Sequence, residues 1–139
     1  GTGGTITGTG RRLKELNPEI KVYAVQPAAS PLLTGGQAAG HPIAGIGPNF
    51  IPSILDTTVY DEVISIANSD AFEWSRRVGA EEGILAGISS GAAVKAAVEV
   101  AHKPEFAGKI VVVIIPSFGE RYLSTTLYRD IQEEFNPTN

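Results

Sequence analysis

The sequence predicts an α/β fold in which a mostly parallel sheet carries helices on both faces. Three observations point there. Short apolar runs alternate with helix-compatible stretches of about ten residues or more, the pattern of crossover connections. The run IVVVII at 110–115 is unbroken and largely β-branched, as in strands buried on both faces. Glycine- and serine-rich turns follow the apolar runs, at the strand ends where such sheets present polar groups to ligands.

Taken in order, residues 8–16 read as a helix with Leu13 and Leu16 facing inward, stopped by Asn17-Pro18. KVYAVQ at 21–26 reads as a buried strand. The stretch 27–52 is rich in Pro, Gly and Ala, has little periodicity and is long for a connection inside a compact domain, which marks it as a candidate functional loop. EVISI at 62–66 suggests a strand, followed by a helix over 69–78 with Ser69 and Asp70 as N-cap candidates. Residues 84–88 form a short apolar strand that runs into Ser-Ser-Gly, and the alanine-rich stretch 90–101 is strongly helical. After the apolar strand at 110–115, a last helix is expected over about residues 120–135.

Composition narrows the class. With 139 residues and 42% hydrophobic content there is enough for one domain-sized core. Fifteen acidic against eleven basic residues leave a net charge of −4, with no basic surplus to replace phosphate counterions, which argues against non-specific nucleic-acid binding. The lack of cysteine excludes disulfides and thiolate metal sites, and His41 and His102 are too far apart for a zinc motif, so no metal is expected. No run approaches the roughly 20 apolar residues of a membrane helix. The start is neither a basic n-region nor a signal core, and a cytoplasmic protein is the expectation. The opening GTGGT is loop chemistry with no strand before it and no initiator methionine, which suggests a chain that begins in mid-protein.

Three motifs carry chemistry. In Gly1-Thr2-Gly3-Gly4-Thr5 the glycines let backbone N–H groups converge, the following helix adds its free amides and positive dipole end, and the threonines add hydroxyl donors. This is a phosphate cradle, although glycine runs also make plain tight turns. A dinucleotide site would need an acidic residue at the end of the next strand, where Gln26 stands instead. The second motif, Gly87-Ile88-Ser89-Ser90-Gly91, places hydroxyls at a sheet's carboxyl edge; its bland reading is helix capping. The third, Pro116 to Thr125 (PSFGERYLST), follows the most apolar strand, and its bland reading is a loop with a capped helix.

In this order the motifs resemble the cysteine synthases (O-acetylserine sulfhydrylases), whose pattern reads GTGGT with TGxGRxLK, then GISSGAA, then PSFGERYLST. Gly45-Ile46-Gly47 with Phe50-Ile51-Pro52 resembles a further block of that family, and together the blocks span nearly the whole chain. The resemblance implies the C-terminal part of a fold type II pyridoxal-phosphate enzyme, with residues 1–139 a portion of its large cofactor-binding domain. Gly1, Thr2, Gly3, Gly4 and Thr5 would hold the cofactor phosphate, and Ser89 would meet the pyridine nitrogen. A neutral hydroxyl there, unlike a carboxylate, does not hold that nitrogen protonated. Gly45, Ile46 and Gly47 would line the substrate cleft.

The implied reaction is β-replacement, in which O-acetyl-L-serine and sulfide give L-cysteine and acetate. Cystathionine β-synthase and other serine-using relatives share much of the pattern. From other classes come a non-catalytic fragment that binds a partner through the old cleft, and a nucleotide- or phosphate-binding regulatory module. The family is usually a homodimer, and its cleft also accepts the tail of serine acetyltransferase. Here Pro48-Asn49 replaces the frequent Ala-Gly, stiffening the loop and removing an N–H donor, which argues against tail binding. The family's Schiff-base lysine lies upstream of GTGGT in its pattern. Lys14, Lys21, Lys95, Lys103 and Lys109 match no such motif and read as surface charges, so these residues by themselves should not turn over.

Overall fold

A computed structural model describes residues 1–135. They form two compact units, one of Gly1–Asn68 and one from Ser69 onward.

In the first unit, α1 (Gly4–Leu16) precedes a two-stranded parallel ladder of β1 (Tyr23–Pro27) and β2 (Glu62–Ile66). Tyr23 stands opposite Glu62, and the register continues without a bulge to Pro27 opposite Ile66. In β2 the alternation puts Ile64 and Ile66 into the core and Val63 and Ser65 on the opposite face, while Glu62, on the core side by parity, stays exposed at the strand's start. Ile43 and Val59 from the long connection join them in the core. That connection contains a 3-10 turn, Leu32–Thr34, tied to the end of β1 by Gln26. The Gln26 amide donates to the Thr34 and Ser65 hydroxyls at 2.9 and 3.0 Å and accepts the Leu33 N–H at 2.9 Å, so its buried polar atoms are satisfied.

The helix expected over 8–16 begins four residues earlier, because Gly3 adopts a left-handed conformation (φ 81°) that caps it. Leu13 and Leu16 are exposed, contrary to the inward orientation expected of them. α1 instead buries its small residues Thr7 and Gly10; a Cβ on Gly10 would come within 2.9 Å of Val59. Close approach at a glycine has displaced the leucine stripe as the packing face.

In the second unit, α2 (Asn68–Glu82) and α3 (Ile88–Ala101) pack closely. A Cβ on Gly91 would overlap the Ala71 carbonyl and the Ser75 backbone nitrogen, so only glycine permits this contact. Ala71, Ser75, Ala92 and Ala96 are buried, a seam of small side chains. α2 starts one residue before the expected N-caps, placing Ser69 and Asp70 inside its first turn, where the Asp70 carboxylate complements the helix dipole. α4 (Arg129–Phe135) is held to α2 by Arg76, whose guanidinium donates to the Leu127 carbonyl at 2.6 Å and to both Asp130 oxygens at 2.7–2.8 Å.

Three expected elements differ. Residues 84–88 form no strand: Ala86 makes a single antiparallel bridge with Phe118, and Ile88 already belongs to α3. The run 110–115 lies in no ladder, with Ile110 92% and Val112 81% exposed, where full burial was expected. Apolar β-branched residues favour a strand, but a strand exists only where neighbours pair with its backbone, and the described residues supply none. The helix expected over about 120–135 is a 3-10 turn, Gly119–Tyr122, and then α4, separated by a turn around Thr125. Thr125 explains the break, since its hydroxyl donates to the Tyr122 carbonyl at 2.6 Å and accepts the Leu127 N–H at 3.3 Å, competing with helical bonding. No described helix is long and apolar enough to cross a membrane.

Candidate functional site

In the first unit the glycine-rich opening leads directly into the N-terminus of α1. The Gly3 carbonyl accepts the Thr7 N–H at 3.0 Å as the first bond of α1, so the Thr5 and Ile6 amides precede the helical ladder and face outward from its N-terminus. The Gly4 N–H donates to the Thr2 hydroxyl oxygen at 3.2 Å, which leaves the Thr2 O–H free to donate. Gly3 is obligatory here: its φ is +81°, and a Cβ would lie 2.6 Å from the Leu55 Cβ. Behind this opening, the Thr7 hydroxyl accepts the Asp56 N–H at 3.0 Å, and Arg11 pairs with the Asp56 carboxylate at 2.7 Å. The Thr58 hydroxyl and N–H, with the Arg11 guanidinium, hold Asp56 down to about 2. These bonds fasten α1 to the segment around Leu55.

The Gly45-Ile46-Gly47 loop comes to the same place. A Cβ on Gly1 would lie 3.0 Å from the Gly45 carbonyl oxygen, so the phosphate-type loop and the proposed cleft loop are neighbours. Gly45 and Gly47 have φ values of 93° and 60°, and a Cβ on Gly47 would also run into Pro27. His41 closes the loop. Its Nε2 bonds the Gly47 carbonyl at 2.8 Å and its Nδ1 accepts the Ile43 N–H at 3.2 Å. A carbonyl only accepts, so Nε2 carries the proton and Nδ1 the lone pair, a neutral ring in one tautomer. Sequence reasoning assigned His41 no role, since nothing in a lone histidine signals a bond to a glycine carbonyl six residues on.

The second unit contributes a cluster of hydroxyls. α3 opens on Gly87 without any side-chain capping bond, so the two serines do not cap it. Both are buried, Ser89 4% and Ser90 0% exposed. The Ser90 hydroxyl donates to the Ser117 carbonyl at 3.0 Å and accepts the Ser117 N–H at 3.3 Å, pinning the PSFGERYLST segment against the helix start. Ser89 Oγ lies 3.3 Å from Ser117 Oγ. Deeper in the unit, burial raises the Tyr128 phenol above its ordinary range, against a hydrogen bond to Ser75 that lowers it.

In the first unit the outward amides and a threonine hydroxyl suit a phosphate dianion, and in the second Ser89 offers a neutral, buried hydroxyl. Three of the lysines are engaged in ion pairs. Lys14 pairs with Asp61 at 2.8 Å, Lys21 approaches the same carboxylate at 4.0 Å, and Lys95 pairs with Glu99 at 3.0 Å beside the Trp74 ring.

Comparison with known proteins shows the family. The profile of the family described as pyridoxal-phosphate dependent enzyme matches residues 1–117. A cysteine synthase of Staphylococcus aureus (strain Mu50 / ATCC 700699) is 54% identical over 128 residues, which is 92% of this chain and 41% of that protein. The chain thus spans about 41% of the length of the curated relatives it matches. Among solved structures, a cysteine synthase from Entamoeba histolytica superposes with a TM-score of 0.91 at 42% identity, covering all of this chain and 44% of that one. An O-acetylserine dependent cystathionine beta-synthase from Helicobacter pylori superposes with a TM-score of 0.84 at 40% identity, covering 92% of this chain and 41% of its own.

Proposed function

Because this chain belongs to the pyridoxal-phosphate-dependent enzyme family, we propose that the complete protein is a cysteine synthase, converting O-acetyl-L-serine and sulfide to L-cysteine and acetate. The observation that carries the reading is the anion cradle at the start of α1, in a segment 54% identical to cysteine synthases. In this reading residues 1–139 are the C-terminal portion of the large domain, and the lysine that binds the cofactor covalently comes from residues preceding Gly1. The cofactor, when bound, supplies an electron sink for chemistry at the amino acid's α and β carbons.

This chain's residues bind and orient. Gly1 to Thr5 take the phosphate on backbone amides and the Thr2 and Thr5 hydroxyls. Ser89 faces the ring nitrogen with a neutral donor, so the nitrogen is not held protonated and the ring stays a moderate electron sink. Gly45, Ile46 and Gly47 shape the substrate cleft, a role supported by the approach of Gly45 to Gly1. A cytoplasmic homodimer fits the family resemblance. Pro48, which lacks an N–H in that cleft loop, weighs against binding of a serine acetyltransferase tail.

The relative from Helicobacter pylori supports a second reading, cystathionine synthesis. Steady-state assays of the complete protein separate the two. The first reading predicts L-cysteine from O-acetyl-L-serine and sulfide, with kcat/KM at least tenfold above that for homocysteine as acceptor. A preference for homocysteine would establish the second, and turnover with neither would remove both.

A further inference from the structure

We propose that Ser117 is a positioning residue for Ser89, its hydroxyl setting the direction in which Ser89 points its proton. The inference rests on the reading of Ser89 as the contact to the cofactor's ring nitrogen, and it deepens that reading.

The bonding capacity of Ser90 is already committed. Its proton goes to the Ser117 carbonyl, which can only accept, and its oxygen takes the Ser117 N–H. The Gly87 N–H donates to the same carbonyl at 3.0 Å. Three bonds therefore fix the Ser117 backbone against the first turn of α3. Gly87 makes room for the side chain, since a Cβ there would overlap Ser117 Oγ. The Ser117 hydroxyl is thereby delivered to 3.3 Å from Ser89 Oγ.

At 4% exposure Ser89 has little access to water as a substitute partner. A hydroxyl has one proton and two acceptor lone pairs. If Ser89 gives its proton to a ring nitrogen, the pair stays bonded only when Ser117 donates to Ser89. A donor into the Ser89 oxygen polarises its O–H and strengthens the bond it makes outward. The 3.3 Å separation is long beside the usual value of about 2.7–2.8 Å for O–H···O, so Ser117 directs Ser89 without competing strongly for its proton. Ser90 and Ser89 thus divide the work: one anchors the segment, the other makes the contact.

The test uses the complete holoenzyme reconstituted with pyridoxal phosphate carrying nitrogen-15 in the ring, reading the ring-nitrogen resonance and the cofactor dissociation constant. Ser89→Ala should move the resonance, and Ser117→Ala should move it part way in the same direction. Because the bond between Ser117 and Ser89 is long, its loss corresponds to cofactor binding weakened by about 2- to 3-fold for Ser117→Ala, the low end for a hydrogen bond. Ser117→Thr, which keeps the hydroxyl, should restore both readouts, and the double alanine variant should match Ser89→Ala alone. If Ser117→Ala leaves the resonance at its wild-type position while Ser89→Ala moves it, the role of Ser117 is overturned and the Ser89 contact stands. A double variant that moves further than Ser89→Ala would also overturn it, because Ser117 would then act independently. If Ser89→Ala leaves the resonance unmoved, the underlying reading of Ser89 fails.

Discussion

Asp56 ties the segment behind the cradle to α1, and its carboxylate is held down to about 2 by Thr58 and Arg11, against an ordinary value of 3.8. A carboxylate depressed in the folded state adds stability above its unfolded value and loses that contribution as pH falls through its folded value. The Asp56→Asn protein should therefore be less stable than wild type at neutral pH. The gap should shrink as pH drops from about 4 toward about 2, which urea midpoints across that range would record. A gap that stays constant with pH would mean the carboxylate charge contributes nothing. At this scale much of the candidate site was legible. The glycines and threonines of GTGGT suggest an anion cradle by backbone chemistry alone, and the structure adds a left-handed Gly3 with the Thr5 and Ile6 amides ahead of the helical ladder. Ser90 and Ser117 were not separable from capping serines, because whether a hydroxyl meets its own helix or a segment 27 residues away depends on tertiary placement. Gln26 likewise had no readable role, since its three bonds reach a turn and the neighbouring strand.

Between elements, Gly91 decides how closely α3 approaches α2. Two effects of Gly91→Ala oppose each other. Helix propensity favours alanine by about 1 kcal/mol. Forcing a methyl group into the Ala71 carbonyl and the Ser75 nitrogen costs about 1–3 kcal/mol, and more if the helices cannot part. Packing wins, so the melting temperature should fall; a rise would mean the helices separate freely. The same contest explains which elements could be read. α3 and β2 were legible because alanine content and period-two burial act locally. The end of the chain misled because Thr125 takes a backbone carbonyl that a continuous helix would use, a bond the sequence does not display.

For the whole molecule, the run at 110–115 carries the largest consequence. Its apolar character was legible, but its burial was not, because burial depends on strands that the described residues do not provide. Ile110, Val112 and Ile114 are more than half exposed on a segment with no ladder partner. Such a stretch is a template for pairing with another chain. The 139-residue chain expressed by itself should therefore self-associate, with sedimentation velocity showing species larger than a monomer at micromolar concentration. A monodisperse, cooperatively melting monomer would contradict this. The central claim concerns the complete protein, and its visible absorption spectrum tests it most directly. A band of bound cofactor should be present, should change when O-acetyl-L-serine is added, and should return when sulfide follows, with L-cysteine formed in proportion. A protein that shows no such band when supplied with pyridoxal phosphate, or whose band does not respond to O-acetyl-L-serine, would contradict the account.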